Sequence, residues 1–444
     1  MIDTQTLRKQ VLSFAVIGKL SETKKTDTPV SIKLKQYIPM MDIGLDNIPS
    51  TWKYCKFDDV LINRDSERIP LSVSERKKLD KVYNYYGASG VIDKVDRYIF
   101  DGEYLLIGED GANLLSRSTP IAFIAKGKYW VNNHAHILEA TEHVVLEFVE
   151  FVINSMSLVP FVTGAAQPKL SQKMMNQIAI PVPPIEEQKR IVKMVNNIFA
   201  KLAEIDELQQ QYANNITSLN KKILDLAVRG ELVPQDQNDE PASVLLKKIA
   251  EEKQKLIKEG KIKKQKALPA ITEDEIPFDI PESWAFVRLG EVIELLSGID
   301  YKPSEYSDIS GKTVYITGAS CLSDTGVIEQ RWTDTPKNIA YRGDLLLVCK
   351  GSGYGKTVIC DVDEAHIARQ IMAIKKIGNL NLSYIKYFLQ SKISEIKSNG
   401  QGVIPGIDRG SVLNMILPLP PLEEQQRIVD QIDRLNDYVE GLRT

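Results

Sequence analysis

The sequence predicts an α+β protein in which two similar domains are separated by long antiparallel coiled-coil helices, the whole forming a pseudo-twofold cyclic repeat. Three observations predict it. First, Ile180-Pro-Val-Pro-Pro-Ile-Glu-Glu-Gln-Lys-Arg-Ile-Val192 recurs as Leu417-Pro-Leu-Pro-Pro-Leu-Glu-Glu-Gln-Gln-Arg-Ile-Val429, a shift of 237 residues. A repeat of this kind sets the architecture before any local propensity is weighed. Second, Ile48-Pro-Ser-Thr-Trp52 is echoed by Ile280-Pro-Glu-Ser-Trp284, Gly87-Ala-Ser89 by Gly318-Ala-Ser320, and Asp101-Gly-Glu-Tyr-Leu-Leu106 by Arg342-Gly-Asp-Leu-Leu-Leu347. Third, Leu7-Arg-Lys-Gln-Val-Leu-Ser-Phe-Ala-Val-Ile-Gly-Lys-Leu20 recurs as Leu219-Asn-Lys-Lys-Ile-Leu-Asp-Leu-Ala-Val-Arg-Gly-Glu-Leu232, with a different shift of 212. The N-terminus thus repeats the end of the central segment, and the C-terminus repeats its beginning. The chain reads as a circle cut inside one helix.

The elements follow in order. Residues 1–30 form the N-terminal part of a split helical region, with Leu7, Val11 and Phe14 on one stripe. Residues 46–184 form a first globular domain. Its β-like runs include Tyr104 to Ile107 and Ile121 to Ile124, and one late helix covers Val144 to Asn154. Residues 185–266 form the central region. Ile191, Val195, Ile198, Leu202 and Ile205 fall at alternating spacings of four and three; the pattern stutters near Leu208 and resumes at Tyr212, Ile216, Leu219, Ile223 and Leu226. An average spacing of about 3.5 keeps one seam against a partner helix. A helix from Ile185 to Arg229 would span roughly 65 Å at 1.5 Å per residue.

Lys247 to Lys266 is a basic run of nine lysines against Glu251, Glu252 and Glu259, and Pro269, Pro277 and Pro281 then mark a boundary. It reads as a solvated, domain-joining helix and linker, with contact to a phosphate backbone or an acidic partner as the alternative. Residues 277–421 form the second domain, with runs Val314 to Thr317, Leu345 to Cys349 and Thr357 to Cys360 and a late helix over Ser383 to Ser398. Residues 422–444 form a last helix, striped by Ile428, Ile432, Leu435, Val439 and Leu442.

Composition fits a soluble, cytoplasmic protein. Four cysteines, Cys55, Cys321, Cys349 and Cys360, form no CxxC pair and no disulfide-like framework. The charged N-terminus argues against a signal peptide, and no run of about 18 apolar residues suggests a membrane span. A net charge of −3 does not announce a nucleic-acid binder, but binding depends on where charge sits rather than on its sum.

No catalytic constellation is legible. Gly351-Ser-Gly-Tyr-Gly-Lys-Thr357 resembles a phosphate loop, but the position that must be the first glycine is Lys350. His134 and His136 could share a strand face as metal ligands, but no third ligand accompanies them, so no metal site is expected. Gly-x-Ser-x-Gly and HExxH motifs are absent.

The motif Pro-x-Pro-Pro-Ile/Leu-Glu-Glu-Gln-x-Arg-Ile-Val, the coiled-coil helix after it, and Leu226-Ala-Val-Arg-Gly-Glu-Leu-Val-Pro-Gln235, in this cyclic order, resemble the specificity subunit of Type I restriction–modification systems. The resemblance covers the whole chain. It implies that 46–184 and 277–421 are target recognition domains, each reading one half of a bipartite double-stranded DNA target. The helices would set the spacing between halves and dock two methyltransferase subunits, with restriction/translocase subunits joining them. It also implies no catalysis and no cofactor in this chain, with S-adenosylmethionine, ATP and Mg2+ on the partner subunits.

Candidate DNA contacts are basic, amide-bearing or hydroxyl-bearing residues on loops of the variable segments. They are Arg64, Arg68, Lys77, Lys78, Lys94, Arg97, Asn113, Arg117 and Lys169 in the first domain. In the second they are Lys302, Lys350, Ser352, Tyr354, Lys356, Arg369 and Gln370. Arg and Gln are the side chains that pair bidentately with guanine and adenine. Two other readings compete: a coiled-coil adaptor that binds only proteins, and a single-chain restriction enzyme of which this is the recognition half.

Overall fold

The protein is described from a computed structural model covering residues 1–39, 45, 48–164, 167–351, 353–399 and 406–443. It has two compact units, Met1–Gln210 and Gln211–Thr444. A 45-residue helix, Ile185–Arg229, gives its first part to one unit and its second part to the other.

In the first unit the N-terminal helix, Thr4–Val16, is capped by Asp3, whose carboxylate accepts the Thr6 N–H at 3.0 Å. This helix runs antiparallel to the start of the long one. Arg8 pairs with Asp206 at 3.2 Å and Ile2 N–H donates to Gln209, while the chain beyond the helix returns to Arg190 through Asp27 at 2.6 Å. The globular part contains β1 (Lys53–Lys56), β2 (Leu61–Asn63), β3 (Tyr83–Gly87), β4 (Gly90–Val95), β5 (Phe100–Gly108), β6 (Ala122–Val131), β7 (Ala135–Ala140) and β8 (Ala179–Val182). β1 and β8 pair with each other. The other six form one sheet in the order β2-β7-β5-β6-β3-β4, antiparallel except where β3 meets β6. The helix Leu146–Ser155 buries Phe148, Val149 and Val152 in one core with Trp52, Phe57, Ile107, Ile180, Ile191 and Val195.

The second unit repeats this plan with β9 (Ala285–Arg288), β10 (Ile293–Ser297), β11 (Thr313–Ile316), β12 (Trp332–Thr333), β13 (Ile339–Tyr341), β14 (Leu345–Val348), β15 (Thr357–Ile359), β16 (Glu364–Ile367), β17 (Ile371–Lys376) and β18 (Ile416–Leu419). Here the sheet is split, as β10-β17-β14-β15 and β12-β11-β16-β13, while β9 pairs with β18. The pairings still match one for one. β13 and β14 together follow the course of β5, β15 and β16 that of β6, and the parallel pair β11–β16 stands where β3–β6 stands. The strand breaks where Gly343 turns with φ +91° and Asp344 N–H bonds back to Tyr341 O.

The predicted strands and both late helices are present, the second as Leu382–Asn399. The C-terminal helix, Leu422–Arg443, runs antiparallel to the second part of the long helix. Its far end meets Tyr212, whose hydroxyl donates to Leu442 O at 2.6 Å, and its start meets Gln235, which donates to Glu424. The basic run Lys247 to Lys266 is helical only as far as Lys258, in the helix Ala242–Lys258. Ala242, Leu245 and Ile249 are buried in the core of this unit, and the Lys253 ammonium donates to Gly290 O at 2.7 Å.

The repeated Pro-Pro motif is a clasp. Pro184 O accepts the Glu187 and Gln188 N–H groups at the first turn. The fully buried Gln188 amide then donates to Pro183 O and His143 O and accepts from Val145 N–H, all within 2.9 Å. Gln425 does the same with Pro420 O and Asn381 N–H. Arg427 pairs with Asp239 at 2.5 Å as Arg190 pairs with Asp27. A buried amide that satisfies three backbone groups is costly to replace, which accounts for Glu-Glu-Gln-x-Arg standing in both copies.

Candidate nucleic-acid interface

In both units three backbone segments cross at one end of the sheet, held by the same hydrogen bonds. In the second unit Cys349 N–H donates to Gln370 O at 2.8 Å, and Ile407 N–H donates to Cys349 O at 2.9 Å. In the first, Glu109 N–H donates to His134 O at 2.8 Å, and Leu170 N–H donates to Glu109 O at 2.8 Å. The frame is common and the side chains on it differ.

The second unit's crossing gathers Lys350, Tyr354, Lys356, Arg369 and Gln370. Lys350, Arg369 and Gln370 are exposed. Asp300 orients Arg369, accepting its backbone N–H at 3.0 Å and its Nε at 2.6 Å. Lys356 is half-buried and tied to Leu322 O at 2.8 Å and to Asp324. Tyr354 packs against the core. The segments approach closely: a Cβ on Gly353 would lie 2.3 Å from the Ala319 Cβ, and one on Gly318 would lie 2.7 Å from Gln370 Oε1. Glycine is what permits this approach. Lys302 is exposed on another turn, and its N–H is capped by Glu305. Ser352 lies outside the described residues.

The first unit's crossing is different in charge. Glu109 and Asp110 sit on it, and His134 pairs with Asp110 at 2.8 Å. Beneath them is an ion network, buried except for the exposed Lys169. His136 Nδ1 meets Asp65 at 2.5 Å and its Nε2 meets Leu170 O at 2.8 Å; Arg68 pairs with Glu109 at 2.7 Å and with Asp65, and Lys169 pairs with Glu109 at 3.1 Å. Burial pushes both carboxyls up, but the hydrogen bonds from His136 to Asp65 and from Arg68 to Glu109 outweigh it and hold both below their ordinary values. Asp65, Glu109 and His136 bring ligand-type atoms within 4.8 Å of one another. Arg68 and Lys169 already supply the cations, and both His136 ring nitrogens are engaged, so the donor set does not fit a metal ion without displacing them. The two histidines of the His-x-His pattern have separate partners.

Several candidates are turned inward. Arg117, with φ +53°, donates to Ile153 O and Met156 O at the end of the Leu146–Ser155 helix. Asn113 folds its own loop, donating to Thr119 Oγ1 at 2.9 Å. Arg68 is spent in the ion network, and Arg64 pairs with Glu139 and Glu67. Lys77, Lys78, Lys94 and Arg97 are exposed, with Arg97 lying over the Trp130 ring at 5.8 Å. Sequence reading missed the orienting carboxylates Asp110 and Asp300, and it missed Asn133. Aligning the crossing in both units was the available signal.

The model of the type I restriction modification DNA specificity domain matches residues 49–213 and 281–442, one copy in each unit. The chain belongs to this family. It is 29% identical over 331 residues to the type I restriction enzyme EcoAI specificity subunit of Escherichia coli, covering 62% of this chain and 56% of that one. It is 36% identical over 246 residues to the EcoEI specificity subunit of the same organism, covering 50% and 39%. It thus spans about half the length of these relatives. With the MjaVIII specificity subunit of Methanocaldococcus jannaschii identity is 22%, covering 88% of both chains. Among solved structures, a chain from work on complex assembly and conformational transition of the type I R-M system aligns with TM-score 0.62 at 18% identity, over 89% of this chain and 92% of that one. The HsdS subunit of Thermoanaerobacter tengcongensis aligns with TM-score 0.51 at 19% identity, over 91% and 93%. These likenesses speak for the fold. No helix among the described residues is long and apolar enough to cross a membrane.

Proposed function

We propose that this chain is the DNA-recognition subunit of a type I restriction–modification complex, with each unit reading one half of a bipartite target. The observation that carries this reading is the crossing built twice on one backbone frame with different side chains. Two half-sites of different sequence need such a pair of readers. In this reading residues 46–184 and 277–421 are the target recognition domains, and the residues 1–30, 185–266 and 422–444 form the helical regions that set the spacing. Backbone contacts from Lys77, Lys78, Lys94, Arg97, Lys302 and Lys350 give affinity and salt dependence, and base contacts give specificity.

The chain does no chemistry itself. Two methyltransferase subunits dock on the helices and bring S-adenosylmethionine; restriction/translocase subunits bring ATP and Mg2+. The methyltransferase flips its target base out of the duplex, as enzymes acting on a base in a duplex must. The test is co-expression with the genomically adjacent methyltransferase and mapping of adenine methylation by single-molecule sequencing. The expected result is two short blocks with a fixed gap, one of which changes when residues 46–184 are exchanged. Full methylation in the absence of this chain would overturn the reading.

A further inference from the structure

Each crossing carries a two-residue tip whose members are both exposed while their neighbours are buried. In the first unit β6 ends at Val131, Asn132 is buried, Asn133 and His134 are exposed, and β7 begins at the buried Ala135. In the second β16 ends at Ile367, Ala368 is buried, Arg369 and Gln370 are exposed, and β17 begins at the buried Ile371. The tips are held alike: Asn132 N–H donates to Tyr86 O at 3.0 Å, and Ala368 N–H donates to Ile316 O at 2.9 Å. We infer that this tip is the base-reading element of both units, so that Asn133 and His134 specify one half-site as Arg369 and Gln370 specify the other. The inference rests on the DNA-recognition reading above.

Turn formation does not account for these residue types. Asparagine is favoured in turns because its side chain bonds the backbone two residues on and because it tolerates the left-handed backbone; here Asn132 makes that bond, accepting the His134 N–H at 2.8 Å, while Asn133 does not, and Arg117 is the one non-glycine residue with positive φ among the described residues. The polar side chains therefore face outward for another reason. In each tip one side chain is aimed by a carboxylate, His134 by Asp110 and Arg369 by Asp300. The other is an amide, Asn133 or Gln370, with no side-chain hydrogen bond among the described residues. An oriented ring nitrogen or guanidinium beside an uncommitted amide is the equipment that base edges require. Arginine matches guanine O6 and N7, and asparagine or glutamine matches adenine N6 and N7. The rigid sheet beneath fixes the tip, as a reading element needs.

The experiment is methylation mapping with the full chain and its methyltransferase, comparing wild type, Asn133→Ala/His134→Ala, Arg369→Ala/Gln370→Ala and the near-isosteric single variants His134→Gln and Gln370→Glu. Gel filtration of each complex reports assembly. The expected result is intact assembly with one half-site relaxed at one or two positions, about tenfold in relative methylation per lost contact, the other half unchanged, and the affected half set by which tip was altered. An unchanged motif in all four variants, with a bipartite motif in wild type, overturns this inference alone. A uniform fall in methylation with no change of motif overturns it too, since that is the behaviour of a backbone contact. No bipartite motif in wild type overturns the proposed function and this inference with it.

Discussion

Trp284 donates its indole N–H to the fully buried carboxylate of Glu424 at 2.9 Å. The equivalent Trp52 and Glu187 each leave a buried polar atom, Nε1 and Oε1, without a partner. Burial pushes the Glu424 carboxyl up, with Trp284 and Gln235 opposing that shift by hydrogen bonding. Trp284→Phe removes that donor, whereas Trp52→Phe removes an N–H that bonds nothing. Both lose similar volume, so Trp284→Phe is expected to cost about 1–3 kcal/mol more than Trp52→Phe. A folded pKa above the unfolded value means that ionisation of Glu424 costs stability as pH rises through the folded pKa. The indole offsets that cost, so the gap between the variants widens from pH 4 to pH 8. Urea unfolding across that range measures it; equal costs would refute the assigned bond.

Gly18 and Gly230 end their helices in the same way. Both have positive φ, +75° and +76°, and Lys19 and Glu231 N–H bond back to Phe14 O and Leu226 O, each at 2.9 Å. This is a Schellman-type end, which favours glycine. A Cβ would lie 2.4 Å from Pro49 in one and 2.6 Å from Pro281 in the other. Gly18→Ala and Gly230→Ala are each expected to cost more than about 2 kcal/mol, combining left-handed strain with the clash. Similar losses in thermal unfolding would show that the two ends are equivalent in energy as well as in shape.

The long helices and their seams were legible because a period near 3.5 survives in residues such as Ile191, Val195, Ile428 and Ile432, which the structure buries. The two copies were legible because the clasp needs Glu-Glu-Gln-x-Arg in both. The split of the second sheet was not: Gly343 and Gly102 occupy the same place in the repeat, and only the turn at Asp344 separates a break from a continuous strand. Site candidates chosen as basic loop residues mixed two kinds. Arg117 and Arg68 answer to carbonyls and carboxylates 36 and 41 residues away, contacts that a local window cannot show. Asn133 was invisible because asparagine in a turn is ordinary until the backbone is known.

Asp27 ties the N-terminal segment to the long helix through the two terminal Arg190 guanidinium nitrogens, at 2.8 and 2.6 Å. Hydrogen bonding by Arg190 holds the Asp27 carboxyl down at about 2. A depressed folded pKa contributes stability that is present above the unfolded value of about 3.9 and is lost as pH falls through the folded value. Asp27→Asn is therefore expected to be less stable than wild type at pH 7, with the difference closing between about pH 4 and pH 2. Urea midpoints at several pH values test this; a difference that does not change with pH would mean that the ion pair is not its source.

Arg117 and the pair Lys77 and Lys78 separate a structural role from a DNA-contact role. Arg117 donates to the terminal carbonyls of the Leu146–Ser155 helix, where a cation also complements the helix dipole. Arg117→Ala is expected to cost about 1–3 kcal/mol in unfolding. Arg117→Gly loses the same bonds but relieves the left-handed backbone at φ +53°, so it is expected to cost less than Arg117→Ala. Neither should alter the salt dependence of DNA binding by the assembled complex, provided the variant folds. Lys77→Ala/Lys78→Ala removes two exposed charges whose side chains make no hydrogen bond or ion pair among the described residues, Lys78 lying only within electrostatic reach of Glu75. It should leave stability within about 0.5 kcal/mol and lower the slope of log K against log salt by about 1–2. Fluorescence anisotropy with a duplex carrying the mapped target, at salt from 50 to 300 mM, reads the slope. A slope changed by Arg117→Ala and unchanged by the double lysine variant would reverse the two assignments.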